Sequence, residues 1–467
     1  MSWYEPIDRT LGELSVDEQR TLVRRTADVV GRNVAARVEV AAEAGTPMTA
    51  DAEMVASSTE IQQALRSENE RRLRSGLDPL SDTALAGLHD MVLAHVYGLG
   101  ELDDLWNNPE VENIDCNGAG VVFVTFAGGL VKVFPPVAAN LEDFLDLVRR
   151  VGRRLGEVEV QFDARHPRLD LQLPDGSRMF AVYGGRGTNG VGAETYLCIR
   201  RHRFLEPSIE ELVALGLMPE KAARFLVAAF SAGENEIVAG DWASGKTTLL
   251  RGLVLAAVPP WERVITVEAG ITELGLHRSG RLQNVVALFS RPKGSEGEGE
   301  VTVWELMEEY TRRLNGTRVL VGEILGKEVG PVLDAFTAST AGSACTIHAR
   351  SARAVIHRFE QYGMAANPPL PPEGVRLAFA NALPIIVHLA KDVATEDVVR
   401  RYCTSICEVT GLEDGQVAMT ELWGLNDRGE LVPQHALSSM RRRFMARQGW
   451  SWTEDGWADD LPDGELA

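Results

Sequence analysis

Cysteine is scarce in this chain of 467 residues: five, at positions 116, 198, 345, 403 and 407, with no C-x-x-C pair among them. No disulfide framework and no redox or zinc pattern can be read from so few, scattered thiols. Cys403 and Cys407, in a strand-like stretch, read as packing residues, and a reducing cytoplasm fits the set. Basic charge is also short. The 47 Lys and Arg stand against 67 Asp and Glu, for a net charge of −20. A general nucleic-acid binder needs a basic surface to displace counterions, so nucleic acid is not an expected partner. Long apolar runs are missing too. The longest, "LLRGLVLAAV", contains Arg251 and falls well short of the roughly 18 residues that mark a membrane span. The opening "MSWYEPIDRTLGELSVDEQ" carries acids where a signal peptide has a basic and then an apolar region. No internal repeat is present. What is left is 45% hydrophobic and 24% charged, an ordinary globular composition long enough for two or three domains.

Punctuation divides the chain into four. Residues 1–98 read as a helical N-terminal extension, an appended bundle. "VDEQRTLVRRTADVVGRNVAARVEVAAEAG" has helical apolar spacing and ends at Gly45. "EIQQALRSENERRLRSG" is so polar that it reads as a solvated connector, and Ser81 is the expected N-cap of "DTALAGLHDMVLAHVYG". Residues 99–205 turn to alternating strands with Asn-Gly, Gly-Gly and Asp175-Gly176 turns around one helix, "NLEDFLDLVRRVGRRL", an α+β domain. In residues 206–442 the short apolar segments "NEIVAG", "RVITVE", "TRVLVGE" and "ACTIHA" alternate with helices, the pattern of buried parallel strands in an α/β domain. A meander, "YCTSICEVTGLEDGQVAMTELWGL", follows and turns at Asp414-Gly415. The acidic, Trp-containing tail 443–467 reads as a poorly ordered end, with a docking peptide as the alternative.

One stretch carries specific chemistry. "GDWASGKTTLL", Gly240 to Leu250, has the spacing Gly-x-x-x-x-Gly-Lys-Thr after an apolar strand and before a helix that Pro259-Pro260 ends. Such a loop surrounds phosphates with backbone N–H groups and a helix N-terminus. Gly240, Ala243, Ser244, Gly245, Lys246, Thr247 and Thr248 are the candidate nucleotide-binding residues. Lys246 would reach the β- and γ-phosphates, and the Thr247 hydroxyl would hold Mg²⁺. Asp241 and Trp242 are unusual occupants, expected to contribute backbone amides while their side chains point away. Ala243 replaces a glycine that many such loops carry. Three further strand ends supply acids and a base. Glu323 ends "TRVLVGE", the position that delivers a carboxylate beside Mg²⁺ and the attacking water. Glu268 ends "VITVE", with Glu273 five residues on, and could polarise water or hold a Mg²⁺-bound one. His348 ends "CTIHA" and is either a packed histidine or a sensor of nucleotide state.

With these pieces in order, the chain from about Leu80 to Trp423 resembles the secretion and pilus-assembly ATPases of the type II/IV superfamily, in particular the CpaF/TadA-like branch. "LPDGSRMFAV" and "LCIRRHRF" look like the family's N-terminal segments. "GDWASGKTTLL" is similar to its phosphate loop, "VITVEAGITEL" to its acidic box and "RPKGSEGEGEVT" to its Glu-Gly-rich loop. "VLVGEILGKEV" is similar to Walker B and "SACTIHARSARAVIHRFE" to the histidine box. The resemblance implies a RecA-like P-loop NTPase domain with a mainly parallel sheet, and ATP and Mg²⁺ as cofactors. It also implies a homohexamer lying on the inner face of the membrane, whose motion drives inner-membrane platform proteins and, through them, pilin-like substrates. Glu323 matches the Walker B glutamate and Glu268 the acidic-box glutamate. Arg178 and Arg200 match arginines that reach the nucleotide at the domain interface, a role suited to a fixed, forked charge.

Three departures accompany the match: Ala269 for the acidic-box aspartate, Thr340 where the first histidine of its box is expected, and Leu325 for a Walker B arginine. Each is expected to weaken hydrolysis or coupling without abolishing binding, so a working ATPase is the leading expectation. A non-hydrolysing nucleotide-binding scaffold and a conjugation-type DNA-transfer ATPase are the alternatives.

Overall fold

The computed structural model describes residues 13–155, 161–185, 187, 189–201, 206–270, 273–291, 293, 299–338, 342–395, 398–447, 452–453 and 456–457. Two compact units, Met1–Arg203 and Phe204–Ala467, make up the chain.

The first unit opens with helices α1 (Val16–Glu43), α2 (Ala50–Arg74) and α3 (Asp82–Tyr97). Ser15 caps α1 in a reciprocal capping box with Glu18, and Ser81 caps α3 by accepting from the Ala84 N–H, as the sequence leads one to expect. The polar stretch Glu60–Gly76 is not a solvated connector: most of it lies inside α2, with Ile61 0% and Leu65 3% exposed. Two of its acids, Glu60 and Glu68, are buried because α1 supplies partners for them. Glu60 pairs with Arg37 and accepts from Asn33 Nδ2 at 2.7 Å, while Glu68 pairs with Arg25 and Arg71. Local polarity is a poor guide to burial when a neighbouring helix carries the matching charges.

Six antiparallel strands follow, β1 (Val111–Asn117), β2 (Val122–Phe126), β3 (Val131–Phe134), β4 (Arg168–Gln172), β5 (Arg178–Val182) and β6 (Tyr196–Arg200), ordered β3-β2-β1-β6-β5-β4. Met179, Ala181, Leu197 and Ile199 are buried in one core with Phe144 and Val148 of the helix Leu141–Leu155. Alternation then places Arg178 and Arg200 on the opposite face.

In the second unit a nine-stranded sheet runs β15-β14-β13-β12-β7-β11-β10-β8-β9. Its strands are β7 (Glu236–Gly240), β8 (Val264–Glu268), β9 (Val285–Phe289), β10 (Arg318–Ile324), β11 (Ala344–His348), β12 (Ile385–Thr395), β13 (Val398–Glu413), β14 (Gln416–Leu425) and β15 (Leu431–Pro433). Pairings from β12 through β9 are parallel, and those from β12 to β15 antiparallel. All five residues of β7 and of β8 are buried, because helices cover both faces. Val238 packs with helices Glu220–Ala232 and Lys246–Ala257, whereas Ile237 and Ala239 pack with Val329–Ala338 and Ala352–Ala365. This is the expected α/β fold with a mainly parallel sheet. The meander turns at Asp414 and Gly415, both at positive φ (49° and 74°), the backbone that Asp-Gly adopts readily in a two-residue hairpin.

Burial of α2 is checked by Ile61→Ala, which should lower the denaturant stability of the first unit by about 2–5 kcal/mol. A solvated helix would lose about 0.5 kcal/mol or less.

Candidate functional site

The phosphate loop leaves β7 where the sheet's parallel strands present their carboxyl ends. In the register of β7 with its neighbours, Gly240 lies opposite His348 of β11 on one side and Leu389 of β12 on the other. A Cβ at Gly240 would meet Leu389 O at 2.4 Å and Ser244 Oγ at 2.6 Å, so only glycine fits this exit. The chain then curls through two left-handed residues, Ala243 (φ 56°) and Gly245 (φ 94°). At Ala243 the usual glycine would remove a backbone penalty of about 1–2 kcal/mol; here the conformation is kept without it. The first intrahelical bond runs from the Leu249 N–H to Gly245 O at 2.9 Å. The N–H groups of the helix's first turn therefore face the loop, where an anion is stabilised.

Asp241 works through its backbone. Its carbonyl accepts from Ser244 Oγ at 2.9 Å and from Lys246 Nζ at 3.0 Å, while its side chain is exposed. Trp242, 68% exposed, lays its ring on the His348 imidazole with centroids 4.7 Å apart. Arg401 of β13 donates from Nε to Ala243 O at 2.9 Å, buttressing the loop from the β12–β13 hairpin. Thr247 and Thr248 are half-buried in the first helical turn.

Lys246, His348 and Glu323 form a continuous chain. Lys246 Nζ lies 3.2 Å from His348 Nδ1, and His348 Nε2 lies 2.8 Å from Glu323 Oε1. An ammonium has only donors, so the first contact is a hydrogen bond only when Nδ1 accepts. That puts the ring proton on Nε2, where it donates to Glu323. Burial, and next the Lys246 charge, lower the His348 pKa from its ordinary value, with the Gly240 backbone and Asp241 opposing. That direction favours the neutral ring, which this tautomer requires.

Glu268 is 2% exposed at the end of β8, and its Oε2 accepts from the backbone N–H of Glu273 and, at 2.7 Å, of Leu274. The carboxylate thus folds the segment after β8 back onto the strand end. Its neighbour across the sheet is Gly322 of β10, where an added Cβ would lie 3.1 Å from Glu268 Cγ. Behind it, burial pushes the Arg251 guanidinium down to about 10, with Glu268 the largest opposing charge.

In the first unit, Arg178 and Arg200 are direct cross-strand partners in the β5–β6 register. Like charges so placed repel, and Asp170 offsets this by bonding Arg178 Nη2 at 3.1 Å. Ala269 and Leu325 are both exposed. Thr340 lies outside the described residues, as do half of "RPKGSEGEGEVT" and most of the tail.

Sequence reading missed Arg401 and His388. His388 is buried next to β7, with Nδ1 2.6 Å from Thr404 Oγ1 and Nε2 3.2 Å from Ala349 O. Neither is flagged by a local motif, because each is delivered by the pairing of β12 with β13 and β7. For His388, a histidine within the apolar run "PIIVHLA" was the available signal.

A family model described as "Type II/IV secretion system protein" matches residues 98–448. The chain is 31% identical over 302 residues to a putative conjugal transfer protein of Mycobacterium tuberculosis, covering 63% of this chain and 80% of that protein. It is 36% identical over 135 residues to the type IV secretion system protein PtlH of Bordetella pertussis, covering 29% of this chain and 38% of that one. Among solved structures it is similar to the VirB11 ATPase of the Brucella suis type IV secretion system, at 22% identity and a TM-score of 0.34, over 68% of this chain and 96% of that one. The Legionella pneumophila ATPase DotB matches at 12% identity and a TM-score of 0.44, over 63% of this chain and 76% of that one.

The neutral ring of His348 is open to titration by NMR. Its folded pKa lies below the unfolded value near 6.5, so its contribution to stability is complete above that pH and is lost as pH falls through the lower, folded pKa. Lys246→Met, which removes the second-largest cause, should move the midpoint upward. A midpoint at or above the ordinary value in the parent would contradict the assigned tautomer.

Proposed function

The chain belongs to the type II/IV secretion system protein family, and on that premise we propose that it is an ATP-hydrolysing motor of a Tad/Flp-type pilus or a related secretion machine. It acts as a homohexamer on the cytoplasmic face of the membrane. Inner-membrane platform proteins are its partners, and through them it moves pilin-like subunits. No described helix is long and apolar enough to cross a membrane. The observation that carries the reading is the meeting of Lys246, His348 and Glu323 beside a helix N-terminus at the carboxyl edge of a parallel sheet.

ATP and Mg²⁺ fit the residues present. The left-handed turns at Ala243 and Gly245 and the first-turn N–H groups form a cradle of backbone donors suited to phosphate oxygens. Gly240, Ser244 and Thr248 complete the loop. Thr247 and Glu268 are the residues assigned to hold Mg²⁺ and its water; when bound, the ion neutralises charge on the β- and γ-phosphates. Lys246 exchanges the Asp241 carbonyl and His348 for phosphate oxygens. Glu323 orients the attacking water and accepts its proton, and His348 reports to Glu323 whether Lys246 is engaged. Arg178 and Arg200 supply further positive charge to the transferring phosphate.

The relative named a putative conjugal transfer protein favours a second reading, the same motor moving DNA. A net charge of −20 weighs against direct DNA contact, and salt-sensitive DNA binding by the purified chain would decide for it.

Mg²⁺-dependent ATP hydrolysis, with oligomer size recorded in the same buffer, tests the proposal. Lys246→Ala should lose nucleotide binding. Glu323→Gln should keep binding and lose about 100-fold or more in turnover. Unchanged turnover in Glu323→Gln would remove Glu323 from the chemistry. Alanine at Arg178 or Arg200 should reduce turnover more than binding.

A further inference from the structure

A cavity of about 360 Å³ lies in the first unit, walled by α1, the end of α3, the turn at Glu101 and the helix Leu141–Leu155. Arg150 is the residue around which it is built. Its guanidinium packs over Gly100, where an added Cβ would lie 3.2 Å from Nη2, and its buried Nε has no hydrogen-bond partner. An unanswered buried donor on a cation is costly, and where it lines a cavity a bound acceptor would relieve that cost.

The acids on the wall do not fill that role. Both Glu101 oxygens are taken by Arg20, from Nε and Nη2 at 2.8 Å each, and Asp143 is taken by Arg24 at 2.8 Å. Asp146 stands 3.9 Å from Arg149, and Asp28 completes the carboxylates lining the space. Burial pushes the Arg150 pKa down to about 10, so the surrounding carboxylates do not offset its loss of water. The neighbouring ring feels the same imbalance. Burial first, and then Arg150 and Arg24, push His95 down to about 3, which fixes it as a neutral donor and acceptor at the cavity wall. Arg153, exposed at the rim, adds one more cation.

We propose that this cavity binds a small phosphorylated anion, with Arg150 as anchor and Arg24, Arg153 and neutral His95 around it. Planar guanidinium groups match phosphate oxygens in geometry and charge, and the volume suits a phosphate ester with a small organic moiety. The site belongs to the seam between the N-terminal helices and the helix Leu141–Leu155 with the turn at Glu101, which Arg20–Glu101 and Arg24–Asp143 already bridge. A ligand there would tighten that seam. The proposal does not depend on what the phosphate loop binds.

Calorimetric titration of the full chain with inorganic pyrophosphate, in low-salt buffer, tests it. Lys246→Ala, which removes the phosphate loop's lysine, should still bind one pyrophosphate per chain. Adding Arg150→Met should weaken that binding by about tenfold or more. Arg153→Gln changes an exposed side chain, leaves folding intact, and should weaken it severalfold. Absence of pyrophosphate binding in Lys246→Ala, or binding that neither arginine change reduces, would overturn the proposal.

Discussion

Parallel pairing in register is the constraint on which the polar carboxyl edge of this sheet depends. β7 sets Gly240 between His348 and Leu389, and β8 and β10 bring Glu268 and Glu323 toward the same edge. Side chains alternate along a strand, so a slip of one residue in β11 would turn His348 to the other helical layer and break the chain to Lys246. The register is held by apolar residues buried on both faces. In β7 these are Ile237 and Ala239 on one side and Val238 on the other. The polar cluster at the edge is therefore positioned by the least polar part of the molecule.

The other end of β7 is held by charge. Glu236 is fully buried, neither of its oxygens is hydrogen-bonded, and burial together with Glu234 raises its pKa well above the carboxylate range. Arg318 and Arg441 oppose that rise. Arg441, on the helix Ser439–Arg447, lies 3.0 Å from Glu234 and 3.3 Å from Glu408 of β13, and donates to Leu383 O at 2.7 Å. Such a network adds little net stability, since desolvation offsets attraction, but it admits few alternative arrangements. It ties the start of the loop-bearing strand to the antiparallel extension of the sheet. Arg401 ties the loop itself to that extension through Ala243.

Legibility followed the range of the interaction. The glycine and lysine spacing, the apolar strands and the Ser81 cap are local features, and the structure has them where the sequence puts them. The burial of α2 was not legible, because Glu60 and Glu68 depend on arginines of α1 that are distant in sequence. Nor was the adjacency of Arg178 and Arg200, which only the β5–β6 register creates. Glu268 was legible as an acid at a strand end, but not its bonds to the Glu273 and Leu274 amides, which require the following segment to fold back.

The two odd residues of the phosphate loop are explained by the same edge. Asp241 brings a carboxylate to the loop, yet the loop's hydrogen bonds use its carbonyl, as the shared acceptor for Ser244 and Lys246. Trp242 does more than stay clear of the cradle. By covering the His348 ring it takes water from the imidazole, and loss of water is the largest cause of that ring's lowered pKa. A neutral ring can accept from Lys246 and donate to Glu323 at once, whereas a protonated one can only donate. The bulky residue at a variable position thus favours the one protonation state in which lysine, histidine and glutamate form a continuous chain.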